Sequence, residues 1–146
     1  NILSEWSPTA YVSTQAANVL ACAAGNYVID KISSNNFINA VNKSGNYLLK
    51  GLKELKTRHP IIGYLDNCGL YTGVELVRDK KTKEPADLEA NYVRDLCVQN
   101  GLLFEKGGYY HNRLQLIPPL NIELNVIDKC IEILDYIFEK TKIKFE

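Results

Sequence analysis

The spacing of apolar and polar positions divides the chain into two helical stretches, a middle region of short extended segments around a third helix, and a closing helix. From Asn18 to Ser33, the residues Leu20, Ala24, Tyr27, Val28 and Ile32 recur at helical spacing, which predicts a helix. Asn18 is its expected N-cap, because the amide oxygen can accept from a free first-turn N–H. Ser33-Ser34-Asn35-Asn36 breaks this helix. Asn36 is the expected cap of the next, which runs to about Arg58 with Phe37, Val41, Leu48, Leu52 and Leu55 on one stripe. His59-Pro60 stops it. The period then changes. Ile61 to Asp66 reads as a strand, Asn67-Cys68-Gly69 as a turn, and Leu70 to Val77 as a second extended segment. Gly73 in that segment marks a close approach or a bulge. Asp79 to Glu84 reads as a charged loop ending at Pro85.

Asp87 to Asn100 reads as a helix through Leu88, Tyr92, Val93, Leu96 and Cys97, closed by Gly101. Leu102 to Glu105 and Arg113 to Ile117 read as strands, separated by a Gly107-Gly108 turn, and Pro118-Pro119 ends the second. The clearest element is last: Val126, Ile127, Cys130, Ile131, Leu134, Ile137 and Phe138 form one stripe from about Glu123 to Lys140. The strands are few and short, and the turn at Gly69 is too tight for a crossover. The expected fold class is therefore α+β, a small mainly antiparallel sheet covered by helices. Asn1 to Thr14, with Trp6, Pro8 and Tyr11, has no periodicity and reads as a lead-in whose aromatics need a surface outside this chain.

Composition narrows the classes. The 146 residues suit one domain with a real core. Seventeen Lys and Arg balance seventeen Asp and Glu, so no net field favours nucleic acid or an anionic membrane. No apolar run is long enough to span a bilayer. The chain starts at Asn, with no methionine and no signal peptide, which points to processing or to a piece of a longer protein. Cys22, Cys68, Cys97 and Cys130 lack metal-ligand spacing. Cys22, Cys97 and Cys130 are expected to be reduced core residues of a cytoplasmic protein, and His59 and His111 are not near each other or near Cys in sequence, so no metal site is expected.

The local chemistry is sparse. Thr14 precedes a helix amino end, where an anion could sit, although close packing explains the same small residues. Glu75 has no second carboxylate to pair with and reads as a rim residue. Tyr109-Tyr110-His111 suits a pocket or plain packing. Lys31, Lys43 and Lys50 read as solvated faces.

Three segments taken together resemble one family. Thr14 to Ala24 resembles the Thr-aromatic-Gly-Gly-Asn-Pro-Leu-Ala-Cys-Ala-Ala segment of class III aminotransferases, pyridoxal-phosphate enzymes of fold type I. Gly69 to Asp79, with Thr82-Lys83-Glu84-Pro85-Ala86 behind it, resembles their Gly-Leu-x-x-Gly-Ile-Glu-Leu-Val segment and the Thr-Lys-Glu-Pro loop. Leu114 to Ile122 resembles their hydrophobic-Arg-Leu-x-Pro-Pro-Leu-Thr-Ile segment.

The resemblance implies that residues 1–18 lead in from a large domain and that residues 19–146 form the carboxyl-terminal small domain. The lysine that holds the cofactor would then precede Asn1, so no catalytic residue is expected here and this chain alone would be inactive. The whole enzyme would be a homodimer. It would move an amino group between an amine or amino acid and an oxo acid. The resemblance assigns Thr14 to the cofactor phosphate of the neighbouring subunit. Gln115 stands where the family's carboxylate-binding Arg is expected, and it supplies neither charge nor a bidentate fork. Arg113, two residues earlier on the same strand face, is the other candidate for substrate contact. Ala16, Ala17 and Val19 also depart from the family's Gly, Gly and Pro. Loss of the Arg leaves a racemase or epimerase of the same scaffold as the alternative activity.

Overall fold

The computed structural model describes residues 5, 7 and 13–145. Trp6, Pro8, Tyr11 and most of the expected lead-in lie outside them. The chain divides into two compact units, Asn1–Ile38 and Asn39–Glu146.

In the first unit, α1 spans Val19–Ile32. Asn18 caps it as the sequence predicts, its side-chain oxygen accepting from the Ala21 amide at 3.0 Å. The apolar stripe, however, is not buried among the described residues. No residue of α1 is buried; Leu20 is 82% exposed and Tyr27 64%. Cys22, expected in a core, is exposed as well. Periodicity specifies which face of a helix is apolar, not what covers it. The next helix, α2, spans Asn35–Arg58. Its cap is Ser34 rather than Asn36: the Ser34 hydroxyl accepts from the Phe37 amide at 3.3 Å and donates to the Lys31 carbonyl at 3.1 Å. One hydroxyl thus ends the first helix and starts the second.

The second unit is the expected α+β arrangement, an antiparallel sheet with helices packed on one face. β1 (Ile62–Cys68) and β2 (Tyr71–Asp79) form a hairpin whose loop is only Gly69-Leu70, so Cys68 belongs to a strand and not to the turn. Gly69 has φ +60°, a left-handed geometry that suits glycine at the first position of such a loop. β2 continues past Arg78 and meets β3 (Glu84–Pro85), so the charged loop is a return onto the same strand. The Asp79 carboxylate accepts from the Thr82 and Lys81 amides within it, which lowers its pKa. The Arg78 guanidinium then ties the loop to the helix that follows, α3 (Asp87–Gln99), by two bonds to Glu89 and one to Glu84.

At the end of α3, Gly101 has φ +79°; its amide bonds the Val98 carbonyl while the Leu102 amide bonds that of Cys97. This is the glycine-closed end the sequence predicts. Of the apolar run after it, Leu102 serves that cap and Leu102 and Phe104 pack against the core, so β4 is Glu105–Gly107 rather than Leu102–Glu105. β5 follows at Arg113–Leu116, and α4 closes the chain at Leu124–Phe145.

The main sheet has the order β1-β2-β5-β4, with every pair antiparallel. Alternation puts Ile62, Val74, Leu76, Leu114 and Leu116 on one face, all buried. Against them pack Leu48, Leu52 and Leu55 of α2, Ala90, Val93 and Cys97 of α3, and Ile127, Leu134, Ile137 and Phe138 of α4. Each fully buried Leu or Ile contributes about 1.5–3 kcal/mol, so this layer holds the second unit together. Leu88, read as part of the inner stripe of α3, is instead exposed.

Two contacts set how close the layers lie. Gly45 of α2 faces the hairpin loop so tightly that a Cβ there would overlap the Gly69 carbonyl. His59, after α2, is buried; its Nε2 lies 2.6 Å from Asp135 of α4 and its ring packs on Phe138. Burial alone would raise the Asp135 pKa, but hydrogen bonds from His59 and Arg58 outweigh it and hold it below the ordinary value.

Gly45→Ala is expected to cost about 1–3 kcal/mol, because a backbone carbonyl cannot step aside, and urea denaturation measures it. Asp135 gives a pH signature. Its carboxyl binds a proton less readily folded than unfolded, so its stabilisation is present above about pH 4 and is lost as pH falls through the folded pKa. Asp135→Asn is expected to destabilise at pH 7 and to flatten this acid limb. Melting temperatures of both forms between pH 3 and 7 check the prediction.

Candidate functional site

The face of the sheet turned away from the helices carries the two predicted substrate-side residues. The register makes this inevitable. In the β2–β5 ladder, Val74 lies opposite Leu114 and Thr72 opposite Leu116, both pairs facing the core. The alternate positions, Glu75 opposite Arg113 and Gly73 opposite Gln115, therefore face outward. On the other side of β5, Gly107 lies opposite Arg113 and Glu105 opposite Gln115. Asn112 pins the register one position upstream of β5. Its side-chain amide donates to the Leu76 carbonyl at 2.7 Å, and its carbonyl accepts from the Leu76 amide at 2.9 Å.

The two long side chains each cross a glycine on a neighbouring strand. The Arg113 guanidinium lies over Gly73, where a Cβ would overlap its Nε and Cζ. It donates from Nη2 to Asp66 of β1 at 2.6 Å. The Gln115 amide lies over Gly107, where a Cβ would come within 2.8 Å of Nε2. Gly73 is thus the close approach that the sequence leaves open between two readings, and what approaches is a side chain.

Asp66 is the residue that sequence reasoning missed. It stands 47 positions before Arg113 and reads only as the end of a strand. Counting alternation back through the two-residue hairpin loop puts it opposite Gly73, which was the available signal. Glu75 is a partly exposed residue of the same face, as expected of a rim carboxylate. Beside it, Gly63, Tyr64, Val77, Lys80 and Lys83 complete a shallow hollow of about 330 Å³.

Thr14 belongs to the first unit. It is exposed in the turn that precedes α1, where the Ala16 amide donates to the Ser13 carbonyl at 3.1 Å. Ala17 closes this turn with φ +59°. The left-handed region costs a residue with a Cβ about 1–2 kcal/mol. This is one of the positions where the resembling segment has glycine. The first turn of α1 carries no acidic side chain, so nothing there opposes an anion near Thr14.

The remaining candidates separate from these. Tyr109 and Tyr110 stack edge to face at 4.9 Å in an exposed loop. Lys31, Lys43 and Lys50 are solvated, Lys31 lying over the Tyr27 ring. A larger hollow of about 360 Å³, lined by Leu102, Leu116, Pro118, Ile122, Ile127 and Cys130, is apolar and offers little polar chemistry.

Comparison with known proteins supplies the family. The model of aminotransferase class-III matches residues 1–138. The chain is 35% identical over 130 residues to an Arabidopsis thaliana protein named alanine–glyoxylate aminotransferase 2 homolog 2, mitochondrial, covering 89% of this chain and 27% of that protein. It is 30% identical over 138 residues to the acetylornithine aminotransferase of Caldanaerobacter subterraneus, covering 94% and 32% respectively. The structure of a Bacillus anthracis aminotransferase superposes with a TM-score of 0.81 at 35% identity, over 89% of this chain and 30% of that one. A transaminase from the marine bacterium Virgibacillus superposes at 0.82 with 26% identity, over 93% and 32%. The chain therefore spans about a third or less of the relatives it matches, and over that span its sequence and its fold make it a member of the class III aminotransferase family.

Proposed function

We propose that this chain serves as the carboxyl-terminal small-domain portion of a pyridoxal-phosphate-dependent aminotransferase. The whole enzyme would move an amino group between an amine or amino acid and an oxo acid. The observation that carries the reading is the family match over residues 1–138, joined to the short share of each relative that the chain covers. Residues 1–18 then lead in from the large domain and residues 19–146 form the small one. The relatives named above are aminotransferases, which favours amino transfer over racemisation or epimerisation.

The residues present fit parts of such a site. Thr14 offers an exposed hydroxyl beside a helix amino end with no carboxylate in its first turn, a donor set suited to the cofactor phosphate of a partner subunit. When bound, pyridoxal phosphate supplies the electron sink for proton loss at the carbon bearing the amine. The open sheet face closes one side of the site, and Gln115 and Arg113 orient the substrate there. The uncovered apolar residues of α1 support a homodimer, and the free thiols of Cys22, Cys68, Cys97 and Cys130 support a reducing compartment such as the cytoplasm.

The full-length protein is expected to take up pyridoxal phosphate and to transfer nitrogen from a donor to an oxo acid in one-to-one yield, while the chain Asn1–Glu146 alone is expected to do neither. Donor loss without a matching amino product would contradict the reading. A hydrogen bond to a charged group contributes about 1.5–3 kcal/mol, so Thr14→Val should weaken cofactor affinity by about tenfold or more. Thr14→Ser should keep it. Equilibrium dialysis against the cofactor measures both, and unchanged retention in Thr14→Val would take Thr14 out of the site.

A further inference from the structure

The hydrogen-bonding capacity of His59 is only half used. Its ring is 2% exposed and packs on Phe138. Nε2 lies 2.6 Å from the Asp135 carboxylate, which can only accept. Nε2 therefore carries the proton, and Nδ1 of the neutral ring is left with a lone pair. What faces Nδ1 is a second acceptor, Glu139 Oε1 at 3.8 Å, with no proton available between the two. Among the described residues, no sealed side-chain nitrogen or oxygen lacks a hydrogen-bond partner. Nδ1 has none and so is not sealed. It opens onto a hollow of about 260 Å³ at the carboxyl end of α4, which His59 lines together with Ile61, Phe138, Thr141 and Phe145.

We propose that this hollow binds a small primary amine in its ammonium form, with one N–H donated to His59 Nδ1, another to Glu139, and the apolar body against Ile61, Phe138 and Phe145. Two acceptors 3.8 Å apart can both be reached by one nitrogen at ordinary hydrogen-bond distance. A carboxylate or phosphate offers neither acceptor a proton. A water meets both but leaves Glu139 without a counter-charge and the apolar walls wet. The local charge also favours a cation. Arg78 lines the hollow but bonds Glu84 and Glu89 and has Asp87 at 3.5 Å. Arg58 is taken up by Asp135. With Lys142 counted as the third cation, the carboxylates around the hollow still outnumber them. The Phe145 ring offers a further face to an ammonium. The site holds whether or not the chain serves amino transfer.

Cumylamine tests this with the full-length, cofactor-loaded protein. It has no hydrogen on the carbon bearing nitrogen, so amino transfer cannot consume it, and cumyl alcohol has the same body without the charge. The measurement is nitrogen NMR of the His59 ring at about pH 8, where an ordinary histidine is neutral and a primary amine is protonated. The Nδ1 resonance is expected to move as cumylamine is added, and about tenfold more of the alcohol should be needed for the same shift. Glu139 is 58% exposed, so Glu139→Gln removes the charge without a packing cost. It should weaken cumylamine about threefold or more and leave the alcohol unchanged. Equal affinity for amine and alcohol, an amine affinity unmoved in Glu139→Gln, or an Nδ1 that already carries a proton at this pH would each overturn the proposal. So would an amine that perturbs the cofactor absorbance while His59 Nδ1 stays still, because it has then bound at the cofactor instead.

Discussion

The antiparallel pairing of β2 with β5 decides where every residue of the open face stands. Side chains alternate along a strand with a period of two, so a slip of one residue would turn Leu114 and Leu116 outward and Arg113 and Gln115 into the core. Burial of Val74, Leu76, Leu114 and Leu116 against three helices forbids that slip, and the reciprocal bonds between Asn112 and Leu76 hold the register where the ladder begins. The apolar core thus selects the chemistry of the opposite face. A polar surface that makes few contacts of its own is positioned by one that makes many.

Two glycines show how differently the layers tolerate change. Gly45 abuts a backbone carbonyl of the hairpin loop, and that loop is fixed by its own left-handed glycine. Gly73 abuts the end of an arginine side chain, which can swing away. The first is a constraint on folding. The second is a constraint on where a charge rests, because what it meets is the end of a flexible side chain. This contrast makes the Arg113–Asp66 pair separable from stability, as an exposed ion pair contributes only about 0–1 kcal/mol.

The sequence carries most of the helices and their inner faces. Leu48, Leu52 and Leu55 on α2, the glycine-closed end of α3 and the broad stripe of α4 are local patterns with local causes. Other features were less legible. Ser33 to Asn36 offers four residues able to cap, and only the geometry of the junction selects Ser34. Leu102, Leu103 and Phe104 read as a strand because they are apolar, but Leu102 completes a helix cap and Leu103 is 77% exposed. The stripe of α1 is real as a pattern, and none of it is buried among the described residues. Of the candidate site, Arg113 and Gln115 share a face as alternation requires. Their contacts with Asp66, Gly73 and Gly107 depend on strand order, which no local spacing encodes.

The most direct measurement is a crystal structure of the full-length protein with pyridoxal phosphate and a bound amine. The account predicts ligand density against the outward face of β2 and β5, beside Gln115 and Arg113. A ligand bound elsewhere on this unit, touching neither Gln115 nor Arg113, would contradict it.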